Sequence, residues 1–266
     1  MRRRTIWICL TVCVLLVSWN RLTGEEALAP TERNLAYDSH TRVIGGSATN
    51  LDLYLPSEPG MKRPVMVWIH GGAWKIGRKE GVNAKPKFFT DRGWVFASIN
   101  YRLVPEVNVG EQTQDVANAL MWVKQHAAEW GGDPEQLYVM GHSAGAHLAA
   151  LVSVDERYLQ QAKGQLSDVK GVILLDGAGY DVARQLKLAR TKFARTLYEE
   201  AFGDDPENHK AWSPVTHVAA DKGIPPFLIL HCASRPDSTA QSEGLAEKLK
   251  VAGVSAKVVA CEGKSH

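Results

Sequence analysis

A doubly wound, mostly parallel α/β sheet is the fold class this sequence predicts, and three observations carry it. Short apolar runs alternate along the chain with segments of helical periodicity, as in strand–helix–strand units. Several runs, such as Val65-Met66-Val67-Trp68-Ile69, are continuous rather than alternating, which suits strands covered on both faces. One run, Leu137-Tyr138-Val139-Met140, leads straight into Gly141-His142-Ser143-Ala144-Gly145, a serine between two glycines at a strand-to-helix turn.

In chain order, residues 1–29 come first and stand apart. Arg2-Arg3-Arg4 precede an uncharged, mostly apolar stretch from Ile6 to Trp19, the layout of a secretory signal peptide and short for a membrane span. Ala27-Leu28-Ala29 resembles a cleavage box, but Pro30 behind it is unfavourable, so an uncleaved anchor through residues 5–19 is the alternative. Either way the chain is expected to be exported, secreted or periplasmic. The leader also carries the whole net charge of +2, because Arg2, Arg3, Arg4 and Arg21 stand there against Glu25 and Glu26. The remaining domain, residues 30–266, is therefore neutral and offers nothing to nucleic acid or to an anionic membrane.

Within that domain, Arg42-Val43-Ile44 and Leu51-Asp52-Leu53-Tyr54-Leu55 read as opening strands, the second alternating as at a sheet edge and closed by Pro56. Two buried strands follow at Val65–Ile69 and Trp94–Ile99, with room for a short helix over Gly81–Arg92. Over Glu111–Glu129, Val116, Ala119, Leu120, Val123 and Ala127 lie three or four apart and form one apolar stripe on a helix. Gly131-Gly132-Asp133-Pro134 stops that helix and leads into the elbow strand. After Ser143, the alanine-rich run Ala144–Val154 is helical. Gly171–Leu175, Pro226–Leu230 and Ala256–Ala260 complete eight strands, with a helix over Ala240–Val251. The interval 180–223 is too long for a plain connection and reads as a small cap inserted between the sixth and seventh strands.

The chemistry gathers at the carboxyl ends of these strands, where ligands bind in α/β sheets. His70-Gly71-Gly72-Ala73-Trp74 ends the third strand, and a Gly-Gly turn there can aim free N–H groups into a site. With the N–H of Ala144, Gly71 and Gly72 are the candidate oxyanion donors. The elbow glycines are expected both to avoid collision and to supply backbone angles that glycine adopts cheaply.

The H-G-G-x-W and G-H-S-A-G motifs together resemble the α/β-hydrolase superfamily, specifically the hormone-sensitive-lipase-like carboxylesterases. Ser143-Ala144-Gly145-Ala146-His147-Leu148 is also similar to arylformamidases and to bacterial acetyl-xylan and feruloyl esterases. The resemblance implies a Ser–acid–His triad in that chain order, an acyl-enzyme intermediate and no metal or cofactor. It places the acid and the histidine after the last two strands, which here means Asp237 and His266, with Ser143 as nucleophile. Relatives carry His-Gly-x-x-Asp after the seventh strand; in this chain that spacing gives Arg235, and the acid is displaced to Asp237. Asp176, which also ends a strand, and Asp204, Asp205 and Asp221 in or near the cap remain alternatives. Relatives continue past the histidine into a closing helix, so the sequence is either a fragment or ends on its base. His142, His147 and His231 read as packing groups. Cys232 and Cys261 end the strands carrying acid and base; two buried thiols are one reading, and a disulfide tying these loops, which export would permit without requiring it, is the other.

The function expected is hydrolysis of small carboxylic esters, acetyl- or feruloyl-type, including carbohydrate-linked ones. An arylformamidase or other amidase on the same scaffold, or a catalytically silent binding module, are the alternatives.

Overall fold

The computed structural model describes residues 28–38 and 49–266. Most of the leader and the expected strand at Arg42–Ile44 lie outside these residues. Among the described residues, eight strands form one sheet in the order β1-β2-β4-β3-β5-β6-β7-β8. They are β1 (Glu32–Ala36), β2 (Asn50–Tyr54), β3 (Arg63–Ile69), β4 (Val95–Ile99), β5 (Gly132–His142), β6 (Val169–Leu175), β7 (Phe227–Cys232) and β8 (Ala256–Cys261). Only β1 and β2 run antiparallel to their neighbours; from β4 to β8 every pair is parallel.

Among the described residues the first strand is at Glu32–Ala36, a stretch with little apolar signal. It is held by partners on β2 rather than by its own pattern, with Thr31 N–H on Leu53 O at 2.7 Å and Asn34 N–H on Asp52 Oδ1 at 3.0 Å.

The central strands are covered on both faces. Along β3, Val65, Val67 and Ile69 enter the larger core, while Met66 and Trp68 enter a second one with Phe89, Phe96 and Met140. The larger core is covered by α2 (Val109–His126), α3 (Ala144–Val154) and α9 (Pro236–Val251); α1 (Lys85–Thr90) supplies Phe89 to the other. Helix α2 starts at a capping box between Asn108 and Glu111, and its stripe of Val116, Ala119, Leu120 and Val123 is fully buried. Helix α4 (Glu156–Gln161) follows α3.

Between β6 and β7 lie four short helices, α5 (Val182–Leu188), α6 (Lys192–Phe202), α7 (Pro206–Ala211) and α8 (Pro214–His217). They form the expected cap. Val182 N–H donates to Ser213 Oγ within it at 2.9 Å, and Asp181 N–H ties it to Gln241 Oε1 of α9 at 2.8 Å.

One buried ion pair fixes the loop that follows β3. Lys79 Nζ lies 2.9 Å from Asp52 Oδ1, with the two side chains 3% and 1% exposed. Lys79 also takes Asn100 Oδ1 on its N–H and gives its carbonyl to Ser98 Oγ. Lys79→Met is expected to destabilise the fold by about 3–5 kcal/mol, because it strands a buried carboxylate. Denaturant unfolding of the variant measures that loss, and a cost below about 1 kcal/mol would show that Asp52 finds other partners.

Candidate active site

The elbow is a sharp turn from β5 into α3 with Ser143 at its tip. Ser143 has φ 54° and ψ −119°, a region that costs a side-chain-bearing residue about 1–3 kcal/mol. Neither Gly141 nor Gly145 has a positive φ. The expectation that the glycines supply unusual angles is therefore corrected: the serine carries the strain and the glycines supply space. A Cβ on Gly141 would stand 2.2 Å from Gly145 O, and one on Gly145 would stand 2.3 Å from Ile69 O and 2.4 Å from His70 O. The latter contacts set α3 directly against the end of β3.

That contact brings the His70–Trp74 turn to Ser143. Gly71 has its Cβ position 3.0 Å from Ser143 Cβ, and Gly72 adopts φ 125° with its Cβ position 2.0 Å from Ile76 O, so neither tolerates a side chain. His70 donates from Nδ1 to Gly71 O at 2.8 Å, and a trans peptide then points Gly72 N–H the opposite way. The ring of His70 stacks on Tyr101 at 4.4 Å, and burial lowers its pKa to about 4, so it stays neutral and keeps this bond. Ser143 N–H is engaged with Leu175 O at 2.9 Å. Ala144 N–H, in the first turn of α3, has no helical acceptor.

Trp74 closes the side of the site. Its carbonyl accepts from Gln112 Nε2 at 2.7 Å and its indole N–H donates to His147 Nδ1 at 3.3 Å. His147 in turn donates from Nε2 to Trp212 O at 2.8 Å. Burial holds His147 neutral, with a pKa near 4. This histidine thereby ties the His70–Trp74 turn, α3 and the cap together, a packing role as expected.

A cavity of about 410 Å³ opens beside Ser143 and is shared by Gly72, Trp74, His266 and Arg235. Its roof is α6, whose Phe193, Leu197 and Tyr198 face it. Sequence reasoning left these residues unassigned. Their spacing of four and five on a helix that also carries Lys192, Arg195, Glu199 and Glu200 is the signal that finds them.

The partner of His266 is where structure and expectation part. His266 Nδ1 lies 2.6 Å from Asp176 Oδ2, on the loop after β6. Asp176 is buried, accepts Cys232 N–H on Oδ1 at 2.9 Å and Arg235 Nη1–H on Oδ2 at 2.6 Å, and itself has φ 45°. Burial pushes its carboxyl up, but the bonds from His266 and Cys232 and the Arg235 charge outweigh burial and hold it far below the usual carboxylate range. Asp237, expected to orient the imidazole, instead accepts from Arg235 Nη2 at 3.1 Å and from Gln185 Nε2 of α5 at 3.3 Å. The reason is local: Pro236 starts α9, which turns Asp237 into the first helical turn and toward the cap. Asp204, Asp205 and Asp221 are exposed.

Among the described residues, no hydrogen bond joins Ser143 to His266, although both line the same cavity. Such bonds often tighten only with substrate bound. The His142 ring lies 4.7 Å from that of His266, and burial, then the charge of His266, lowers its pKa to about 4. His231 is buried against Thr239, 3.0 Å from its Oγ1. Of the two readings for the cysteines, the free thiols hold and the disulfide is not formed. Cys232 and Cys261 are register partners at the ends of β7 and β8, but both are free thiols. Burial and the neighbouring Asp176 charge push the Cys232 thiol up to about 12, which leaves it little thiolate with which to react. Among the described residues, no group of three or more His, Cys, Asp or Glu side chains is placed to hold a metal ion.

Comparison with known proteins points the same way. The family model BD-FAE matches residues 51–249. A "probable isoprenylcysteine alpha-carbonyl methylesterase" of Arabidopsis thaliana is 32% identical over 250 residues, covering 86% of this chain and 51% of its own. A "probable carboxylic ester hydrolase" of Mycobacterium tuberculosis, LipM, is 33% identical over 220 residues, covering 77% and 49%. The chain spans about half the length of these relatives. Among solved structures, propionate-bound esterase 2 of Thermogutta terrifontis superposes with a TM-score of 0.68 at 29% identity, covering 88% of this chain and 84% of that one. The same esterase phosphonylated by sarin gives 0.66 at 29%, covering 81% and 79%.

Proposed function

The chain belongs to the BD-FAE family of α/β-hydrolase esterases, and from that premise we propose that it hydrolyses carboxylic esters through an acyl-enzyme on Ser143. The observation that carries this reading is the strained Ser143 at the elbow, set against the free N–H of Ala144 and the outward-turned N–H of Gly72 in one cavity with the His266–Asp176 pair. His266 takes the Ser143 proton as Oγ attacks the ester carbonyl, and the developing oxyanion is met by the backbone donors of Gly71, Gly72 and Ala144. His266 returns the proton to the leaving alcohol. Water, deprotonated by the same imidazole, then frees the acid and Ser143. Asp176 holds the imidazole with Nδ1 protonated, so that Nε2 is the basic nitrogen.

The apolar roof of Phe193, Leu197 and Tyr198 and the wall of Trp74 suit an acyl group from acetyl to an aryl acid such as feruloyl. That range is the substrate class we assign, carbohydrate-linked esters included. The propionate bound to the Thermogutta esterase and that protein's phosphonylation by sarin support a short acyl site and a reactive nucleophile. The leader supports export, which tracking the full-length chain in its host would test.

The deciding experiment treats the protein with a fluorophosphonate probe and with a panel of p-nitrophenyl acetate, butyrate and decanoate, methyl ferulate and N-formylkynurenine. A phosphonyl adduct on Ser143 with turnover of acetate and ferulate esters is the expected result. A protein that neither labels nor turns over any of the panel overturns it, and preference for N-formylkynurenine replaces the esterase with an amidase.

A further inference from the structure

Three polar atoms meet in a triangle behind the cavity. Arg235 Nη1 is 2.6 Å from Asp176 Oδ2 and 2.6 Å from His266 Nδ1, and the imidazole and carboxylate atoms are themselves 2.6 Å apart. Nδ1 of a neutral imidazole has one hydrogen-bonding role at a time. With its proton on Nδ1, His266 donates to Asp176 and leaves Nε2 free to accept a proton. With its proton on Nε2, Nδ1 accepts from Arg235 and the ring is no base toward Ser143. The guanidinium is anchored from its far side, where Nη2 holds Asp237 at 3.1 Å and Asp237 in turn takes Gln185 of cap helix α5.

We propose that Arg235 is a positioning residue that competes with Asp176 for Nδ1 of His266, and that Asp237 restrains Arg235 in that competition. Arg235 stands where the chain's resemblance to other esterases called for the acid, so a cation occupies that position and the next carboxylate, Asp237, lies two residues further on. The inference rests on the esterase reading for its kinetic consequence, but the triangle stands without it.

The charges facing His266 are Asp176 from the end of β6, Arg235 and, through it, Asp237 from the start of α9, and His142 from the end of β5. Lys85 of α1 and Lys264 of the last loop border the neighbouring cavity that also touches His266. Arg235 is the cation in direct contact with the imidazole among these. Removing it makes protonation of the ring easier and frees Nδ1 for Asp176; removing Asp237 does the reverse by leaving the guanidinium uncompensated.

The test compares wild type, Arg235→Gln, Arg235→Lys, Asp237→Asn and the Arg235→Gln/Asp237→Asn double variant. The acidic limb of the kcat/KM profile is expected to move up by about one pH unit in Arg235→Gln and down in Asp237→Asn. It should stay near wild type in Arg235→Lys, which keeps the charge, and return toward it in the double variant. In parallel, isotope-edited NMR of the imidazole nitrogens of resting enzyme should show Nδ1 more fully protonated in Arg235→Gln. Limbs that coincide in all variants, or an unchanged Nδ1 signal, overturn the proposal and reduce Arg235 to a structural tie. The NMR arm needs no turnover, so an inactive wild type would sink the esterase reading while leaving this one to be decided.

Discussion

Asp176→Asn is expected to lower kcat/KM by about 10⁴-fold, the scale on which an amide in place of the imidazole's carboxylate leaves the wrong tautomer in place. In this chain the loss has two sources. The amide presents its NH₂ or a weaker oxygen to His266 Nδ1, and Arg235, relieved of its closest anion, is left to donate to the same nitrogen. Asp237→Asn, by contrast, breaks a half-exposed pair with Arg235, worth at most about 1 kcal/mol, and should change plateau rates within about fivefold. The two variants are compared on one ester, with thermal unfolding of each to confirm an intact fold. If Asp237→Asn proves the crippling one, the acid lies on α9 and the His266–Asp176 contact is incidental.

Why spacing favoured Asp237 over Asp176 as the partner of His266 can be stated in terms of particular residues. Both Asp176 and Asp237 follow an apolar strand within a few positions, and a strand-end carboxylate is all that a sequence displays. The choice between them is made by Pro236, which opens α9 one residue early enough to wind Asp237 into a helical turn, and by the φ of 45° at Asp176, which aims its side chain back across the end of β7. Neither is visible as composition or periodicity. The central strands were legible for the opposite reason. Burial on both faces demands continuous apolar runs, and β3, β4, β5 and β6 display them within one to five residues of their observed limits. β1 was not legible, because Glu32–Ala36 is nearly all exposed and is a strand only by virtue of its partners on β2. The glycines of the elbow sit between these cases. That they were needed could be read from the motif, but whether for angle or for space required knowing that α3 lies against the carbonyls of Ile69 and His70.

Ser143 itself provides the second large effect and separates strain from chemistry. Ser143→Ala removes the nucleophile and should lower kcat by about 10⁶-fold. Stability should barely change, because alanine carries a Cβ and meets the same cost at φ 54° and ψ −119°. Ser143→Gly should be equally inactive but different in stability. Glycine adopts this region freely, which recovers about 1–3 kcal/mol of strain, against a loss of roughly 0.5–1 kcal/mol for the added freedom of the unfolded chain. For a domain of this size each net kcal/mol raises Tm by about 2–4 °C. Differential scanning calorimetry of the two inactive variants therefore isolates the backbone term, with the glycine variant melting higher. Equal melting temperatures would mean that the elbow is relaxed and that its serine is held out by packing alone. A higher Tm for glycine would mean that the fold gives up stability at the one residue whose side chain must stand clear of the sheet, held there by close contacts at Gly141 and Gly145 that leave the turn no easier path.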